Sequence, residues 1–239
     1  MEFYTEEEKQ SNAVSRKGIS YAKIYLWFGL GILITGIVGF GLPYILQAIY
    51  GTNNESMVSC YTILVVASAI ASIVLSLVIN LRFMKEKSTA SIICFTLYSV
   101  AFGILLSSAL SFVGLETSLY AFLITGGVMF LMGIFGALLK NRIKNIYLVI
   151  LSLLFSSLII SLVNLFLFNE MLYWISTFAM LAISLLFVVI DTAFIIRVVN
   201  VQDGYLNNSL AIYCAYRLYS DFILIFIRVL LIIAANSKN

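Results

Sequence analysis

The sequence predicts an all-α integral membrane protein with seven transmembrane helices, six of them surrounding a central, charged seventh helix. Of the 239 residues, 62% are hydrophobic and only 10% are charged, whereas a soluble domain is about 45–50% apolar and about 25% charged. Seven apolar stretches each exceed the roughly 20 residues that a helix needs to cross a bilayer. They are residues 24–49, 60–82, 90–114, 118–140, 146–168, 172–197 and 210–235.

Little of the chain remains outside these stretches. We predict a cytoplasmic N-terminal tail at residues 1–23 and a single seven-helix transmembrane domain at residues 24–239. Because no extramembrane domain fits, we expect any function to lie among the helices or on short loops.

The charges of the loops predict on which side of the membrane each terminus lies. The loops on one side carry basic residues at positions 9, 16, 17, 23, 82, 85, 87, 140, 142, 144 and 197. The opposite loops hold Glu55, Glu116 and Glu170, and Lys238 is the sole basic residue there. By the positive-inside rule, the N-terminus is cytoplasmic and the C-terminus lies outside. The short loops and the richness in Ile, Leu and Asn suggest the inner membrane of a bacterial cell.

Several classes of function are excluded or disfavoured by what the sequence lacks. The chain contains no His, which excludes His-based catalysis and His-ligated metal sites. Its three Cys have no metal-ligand spacing, and no nucleotide-binding glycine motif occurs. The net charge of +3 is small and scattered, so we expect no nucleic-acid partner. We therefore expect no enzymatic activity and no cofactor, with the lipid bilayer as the main partner.

Glycines crowd two of the predicted spans. Small residues let helix backbones approach closely in lipid, where no hydrophobic drive exists between helices. We expect these glycines to serve packing within the bundle, with a homodimer face as the alternative, so that the protein is a monomer or a weak homo-oligomer. They are Gly29, Gly31, Gly36, Gly39 and Gly41 in the first span, and Gly126, Gly127, Gly133 and Gly136 in the fourth.

Four ionisable residues lie inside predicted spans: Asp191 in the sixth, and Arg217, Asp221 and Arg228 in the seventh. Each charge near the bilayer centre costs at least about 2.5–3.5 kcal/mol, so such residues are usually paired and functional. At about 100° and 1.5 Å per residue, the three seventh-helix charges form a column on one narrow face, roughly 16 Å tall. That face cannot meet lipid.

The two aspartates are the strongest candidates for a functional site. Their positions on consecutive helices allow them to approach each other in the cytoplasmic half of the membrane. Two neighbouring carboxylates in a low dielectric cannot both ionise cheaply and titrate as a unit, which suits a pH-sensitive gate or a cation site, with Ca²⁺ as a candidate ion. In the alternative reading, Asp221 forms a static ion pair with Arg217, and Asp191 one with Arg197, Arg228 or a loop cation.

Three short runs resemble the Bax inhibitor-1 family, also called the transmembrane Bax inhibitor motif family. They are Leu-Tyr-Ser-Asp-Phe-Ile at residues 218–223, Val-Ile-Asp-Thr at 189–192, and Thr-Leu-Tyr-Ser-Val-Ala-Phe-Gly-Ile at 96–104. The resemblance implies a pH-sensitive Ca²⁺ leak in which Asp191 and Asp221 hold the pathway shut and respond to protonation. It also implies a basic latch near the end of the second helix, with Lys85 as the nearest match and Arg82 and Lys87 as competitors.

The sequence departs from the family pattern at three points. Residues 60–82 contain no acidic residue, although family members can carry one that pairs with an Arg late in the seventh helix. Arg228 stands about one turn earlier than that Arg. Arg217 is an additional charge four residues before Asp221; it would favour the ionised carboxylate and shift gating to more acidic pH, or close the pathway more firmly.

Three other functions compete with a cation leak. A non-conducting regulator could bind membrane proteases or stress-response proteins, but a scaffold has little reason to retain buried charges. An intramembrane aspartyl protease also uses two aspartates, yet Leu218-Tyr219-Ser220 before Asp221 does not match its GxGD pattern. A proton-coupled transporter is disfavoured because the sequence shows no inverted repeat and no pair of broken helices.

Overall fold

A computed structural model describes residues 6–51, 55–82, 88–140, 143–202 and 206–236. Over these ranges the chain is entirely helical apart from its connections. The described residues form seven helices, and each is long and apolar enough to span a membrane. They are α1 (Glu6–Tyr50), α2 (Glu55–Arg82), α3 (Ser88–Val113), α4 (Leu115–Leu139), α5 (Ile143–Leu167), α6 (Glu170–Val201) and α7 (Asn208–Asn236). The predicted fold class is confirmed.

The helix bounds match the predicted spans to within a few residues except at the N-terminus. Helix α1 begins at Glu6 and runs without a break to Tyr50, so residue 23 marks no structural boundary. Residues 6–23 are rich in Glu, Lys and Ala, which favour helix. Ser20 is buried, and its hydroxyl accepts a hydrogen bond of 3.2 Å from the backbone N–H of Leu206.

Local sequence explains where the helices begin and end. Gly51 and Gly114 follow α1 and α3 with φ of 78° and 86°, a left-handed conformation that glycine adopts without a steric cost. Asn169 and Asn207 precede α6 and α7. Their side-chain oxygens accept hydrogen bonds from Leu172 N (3.2 Å) and Leu210 N (2.8 Å), as N-caps do.

The described chain divides into two compact units. Unit 1 comprises Met1–Leu115 and Gln202–Tyr219. Within it α3 packs against both α1 and α2. The first half of α7 also belongs to this unit and is almost completely buried, with Ala211, Cys214 and Tyr219 at 0% exposure. The core of unit 1 is therefore built around the early part of α7.

Unit 2 comprises Glu116–Val201 and Ser220–Asn239. Helix α5 packs against α6 through an apolar cluster that includes Ile150, Ile183 and Ile190. Helix α4 meets the second half of α7, where the rings of Phe122 and Phe222 lie 5.4 Å apart. The prediction of a single domain at residues 24–239 stays a prediction.

Burial differs greatly among the spans. Half of the most apolar stretch of α7 is buried, compared with 11% for α5. Helix α7 is thus the most buried of the seven spans, whereas most of the apolar stretch of α5 is exposed. Three of the four ionisable residues within predicted spans, Arg217, Asp221 and Arg228, belong to this most buried helix.

Only some of the glycines serve close packing. A Cβ added at Gly31, Gly39, Gly103 or Gly136 would lie 2.7 Å from a neighbouring atom, which is too close to be tolerated without movement. Positions 29, 36, 41, 126 and 127 have nothing within 4 Å of such a Cβ. Of the predicted glycines, Gly31, Gly39 and Gly136 therefore pack closely, and a Cβ at Gly133 would make an ordinary contact of 3.8 Å with Thr192 Oγ1. Gly103 was not among the predicted set.

Candidate functional site

Both predicted aspartates are buried in unit 2. Asp191 on α6 is 4% exposed and Asp221 on α7 is 5% exposed. Asp191 follows Val188, Val189 and Ile190, which are themselves at most 3% exposed. Two carboxylates thus lie buried in membrane-spanning helices, where a charge is costly. The structure confirms their burial, while their coupled titration stays a prediction.

The backbone beside Asp191 is fixed by a close approach of α4. A Cβ placed on Gly136 would lie 2.7 Å from the carbonyl oxygen of Val189 and 2.8 Å from Cβ of Thr192. Glycine is therefore required for α4 to pack at this distance. Because Val189 and Thr192 flank Asp191, this contact sets the position of the α6 turn that carries the carboxylate.

The two arginines of α7 are half-buried. The guanidinium carbon of Arg217 lies 5.9 Å from the ring centroid of Tyr213, within the range of a cation–π interaction. Arg217 is assigned to unit 1, and Asp221 and Arg228 to unit 2. The predicted ion pairs of these arginines with the aspartates stay predictions.

Other basic residues are also predicted as partners of the aspartates. Lys85 lies outside the described residues, and Arg82 is the last residue of α2. Arg197, a proposed partner of Asp191, is exposed. Its guanidinium donates a hydrogen bond of 3.1 Å to the carbonyl oxygen of Lys140, just beyond α4. A cation near the C-terminus of a helix is favourable, so Arg197 has a structural role at the end of the helix.

The described residues offer no preformed calcium cage. Nowhere among them do three or more Asp, Glu, Cys or His residues gather as a group that could hold a metal ion. Ca²⁺ takes six to eight oxygen ligands, more than the carboxylates of Asp191 and Asp221 alone provide. The predicted binding of Ca²⁺ at Asp191 and Asp221 stays a prediction.

A buried hydroxyl cluster in unit 1 was not anticipated from the sequence. The Tyr219 hydroxyl lies 2.5 Å from Thr35 Oγ1, which in turn lies 2.9 Å from Gly31 O and 3.0 Å from Ser99 O. Since Thr35 has one proton to donate, it donates to a carbonyl and accepts from Tyr219. This cluster joins α1, α3 and α7, and Thr35, Ser99 and Tyr219 are all at most 4% exposed.

Aromatic rings surround the hydroxyl cluster. Phe95, Tyr98 and Phe102 of α3 lie 5.6, 5.8 and 6.4 Å from the ring of Tyr219, all close to edge-to-face. One turn earlier, the Tyr216 hydroxyl hydrogen-bonds to Ser76 Oγ of α2 at 2.6 Å. The third-helix run that resembles the family motif therefore packs directly on the seventh-helix run.

Comparisons with known proteins identify the family of the chain. The family model described as inhibitor of apoptosis-promoting Bax1 matches residues 19–238. A membrane protein of Streptococcus pyogenes serotype M1 is 29% identical over 217 residues, covering 90% of this chain and 92% of that protein. The inner membrane protein YbhL of Escherichia coli K12 is 24% identical over 215 residues, covering 87% and 88% of the two chains. No solved structure matches the chain significantly. The match over nearly the whole length, together with seven spans and the buried aspartates of α6 and α7, means that the chain belongs to the Bax inhibitor-1 family of membrane proteins.

Proposed function

We propose that the protein is a pH-sensitive cation leak, with Ca²⁺ as its principal ion, in a bacterial inner membrane. The observation that carries this proposal is the burial of two carboxylates, Asp191 and Asp221, in one compact unit of a membrane-spanning helical protein. A purely structural bundle gains little from such costly groups. In this mechanism the aspartates titrate together, and their charge state decides whether the pathway conducts.

Calcium uptake into proteoliposomes across pH about 5–8, the range of physiological proton switches, tests this proposal. We expect wild-type flux to depend on pH. Asp191→Asn and Asp221→Asn should flatten that dependence, because an amide keeps the shape of a carboxyl group but cannot ionise. Glu55→Gln, which changes the charge of an exposed residue in the first turn of α2, should retain the wild-type profile.

Two outcomes would overturn the proposal. One is folded wild-type protein giving no more uptake than empty liposomes at any pH, which would favour a non-conducting regulator that binds other membrane proteins. The other is flux whose pH profile is the same in wild type and in both asparagine variants, which would remove the aspartates from gating.

Arg217 should set the pH at which the pathway responds. It stands one helical turn before Asp221, and a cation near a carboxylate favours its ionised form. We expect Arg217→Ser to move the midpoint of the flux profile toward neutral pH, by up to about one unit. Arg217→Lys should retain the wild-type midpoint, since it keeps the charge, and an unchanged midpoint in Arg217→Ser would contradict this role.

A further inference from the structure

Buried polar residues in unit 2 extend from Asp191 toward the N-terminal ends of α4 and α6, which lie at Leu115 and Glu170. On α6, Thr177, Ser184 and Asp191 follow one another at intervals of seven residues and are 0%, 5% and 4% exposed. An interval of seven residues turns a helix by about −20°. The three side chains therefore leave one face of α6 as a buried polar column about 21 Å long.

Helix α4 carries a matching pair. Ser118 and Thr125 are also seven residues apart, and they are 3% and 0% exposed. Thr125 and Gly136 are eleven residues apart, which places them about 20° apart around the helix axis. Because Gly136 packs against the backbone of α6 at Val189, Thr125 lies on the face of α4 that is turned toward α6.

The hydroxyls of two of these residues lack partners. Thr125 Oγ1 and Thr177 Oγ1 are fully buried and, within the described chain, form no hydrogen bond. A threonine in a helix commonly donates to the carbonyl four residues earlier, as Thr35 and Thr62 do here. A buried hydroxyl without any partner costs free energy unless water or a ligand satisfies it.

Charge at the start of these helices favours cations. Glu116 and Glu170 lie in the first turns of α4 and α6 and are exposed. Helix N-termini carry a partial positive charge that would repel a cation, and an acidic side chain in the first turn offsets it. The two carboxylates would raise the local cation concentration at this end.

We propose that Thr125, Thr177 and Ser184 line a hydrated half-pathway that leads from the Glu116 and Glu170 end of unit 2 to Asp191. The threonine hydroxyls donate to and accept from free water, and they accept hydrogen bonds from the hydration shell of a cation. This inference rests on the proposed cation leak and assigns its access route. In this proposal the two threonines line the pathway, and the aspartates control whether it conducts.

Cysteine accessibility tests this route without measuring conduction. Thr125→Cys and Thr177→Cys would be made in a background with Cys60, Cys94 and Cys214 replaced by Ala. The protein would be reconstituted in lipid nanodiscs and treated with a small, membrane-impermeant cationic methanethiosulfonate. Both cysteines should react at least about tenfold faster than lipid-facing ones, because only a hydrated thiol ionises readily.

Matched controls come from exposed positions within the spans. Gly126→Cys adjoins Thr125 on the same helix, and Ser156→Cys lies midway along α5; both native residues are exposed on the lipid side. The rate of an anionic methanethiosulfonate divided by that of the cationic one should be lower at Thr177→Cys than the same ratio measured with a free thiol in solution. A ratio equal to or higher than that of the free thiol would contradict the cation preference.

The outcomes separate this inference from the function on which it rests. Threonine-site cysteines that react no faster than the lipid-facing controls would overturn the half-pathway, even if aspartate-dependent Ca²⁺ flux were observed. Fast reaction of these cysteines, together with no Ca²⁺ flux at any pH, would support the hydrated route and overturn the calcium leak. Size-exclusion profiles of each variant check that the protein is folded.

Discussion

Tyr219→Ala is expected to lower the free energy of unfolding by about 3–5 kcal/mol, the range found when a large buried ring is removed. Tyr219 is 0% exposed. Its ring contacts three aromatic side chains of α3, and its hydroxyl bonds to Thr35 of α1. Tyr219→Phe retains the ring and should cost only about 0.5–1 kcal/mol, which is typical of one interhelical hydrogen bond in a membrane. Titration with SDS from mixed micelles, followed by circular dichroism, measures both values.

An exposed tyrosine in the same unit provides the control. Tyr25 on α1 is 58% exposed, so Tyr25→Ala should change stability by no more than about 0.5 kcal/mol. If Tyr219→Ala cost no more than Tyr25→Ala, the hydroxyl cluster and its aromatic surround would not be the structural centre of unit 1.

Gly136→Ala should destabilise the protein by about 1–3 kcal/mol, the usual cost of overpacking. The added methyl group would meet the carbonyl oxygen of Val189 at 2.7 Å, and a backbone atom cannot rotate away as a side chain can. The helices must separate, and the α6 turn that carries Asp191 must shift. The same SDS titration measures the stability, and the pH profile of Ca²⁺ uptake should move with it.

Gly126→Ala is the matched control on the same helix. Nothing lies within 4 Å of the Cβ that it would add, so we expect stability within about 0.5 kcal/mol of wild type and an unchanged pH profile. Equal losses in both variants would mean that helix propensity or lipid contact, and not the α4–α6 approach, determines the effect.

The fold could be predicted because membrane spans obey a simple physical requirement. About 20 consecutive apolar residues, with their backbone hydrogen bonds satisfied internally, suffice to predict a transmembrane helix. The predicted spans therefore agree with the seven helices. The start of α1 at Glu6 was missed because hydropathy marks where a helix meets lipid, and a polar helical extension carries no such signal.

The candidate site could be predicted only in part. Asp191 and Asp221 are conspicuous because a charge among apolar residues is rare, and the structure confirms that both are buried. Thr125 and Thr177 are inconspicuous, because serine and threonine occur throughout the spans and usually bond to their own helix. The seven-residue interval that joins Thr177 and Ser184 to Asp191 on α6 is the sequence signal that could have revealed Thr177.

Packing partners were the least predictable feature. Tyr219 and Thr35 are 184 residues apart in sequence, and nothing in either helix specifies that their hydroxyls meet. Likewise, Gly136 and Gly126 are identical residues on one helix, yet only Gly136 touches a neighbouring backbone. Such contacts depend on how the helices cross, which a single sequence does not encode locally.

The two tryptophans report on different parts of the molecule. Trp27 belongs to unit 1, where its ring lies 6.5 Å from that of Phe95 beside the Tyr219 cluster. Trp174 belongs to unit 2, where it contacts Tyr173 and Phe178 at the start of α6. Since the chain has no other tryptophan, replacing either one by Phe leaves a single tryptophan. With excitation selective for tryptophan over the 14 tyrosines, the emission of each such protein follows one unit alone, so the order in which the two units loosen can be read without any added label.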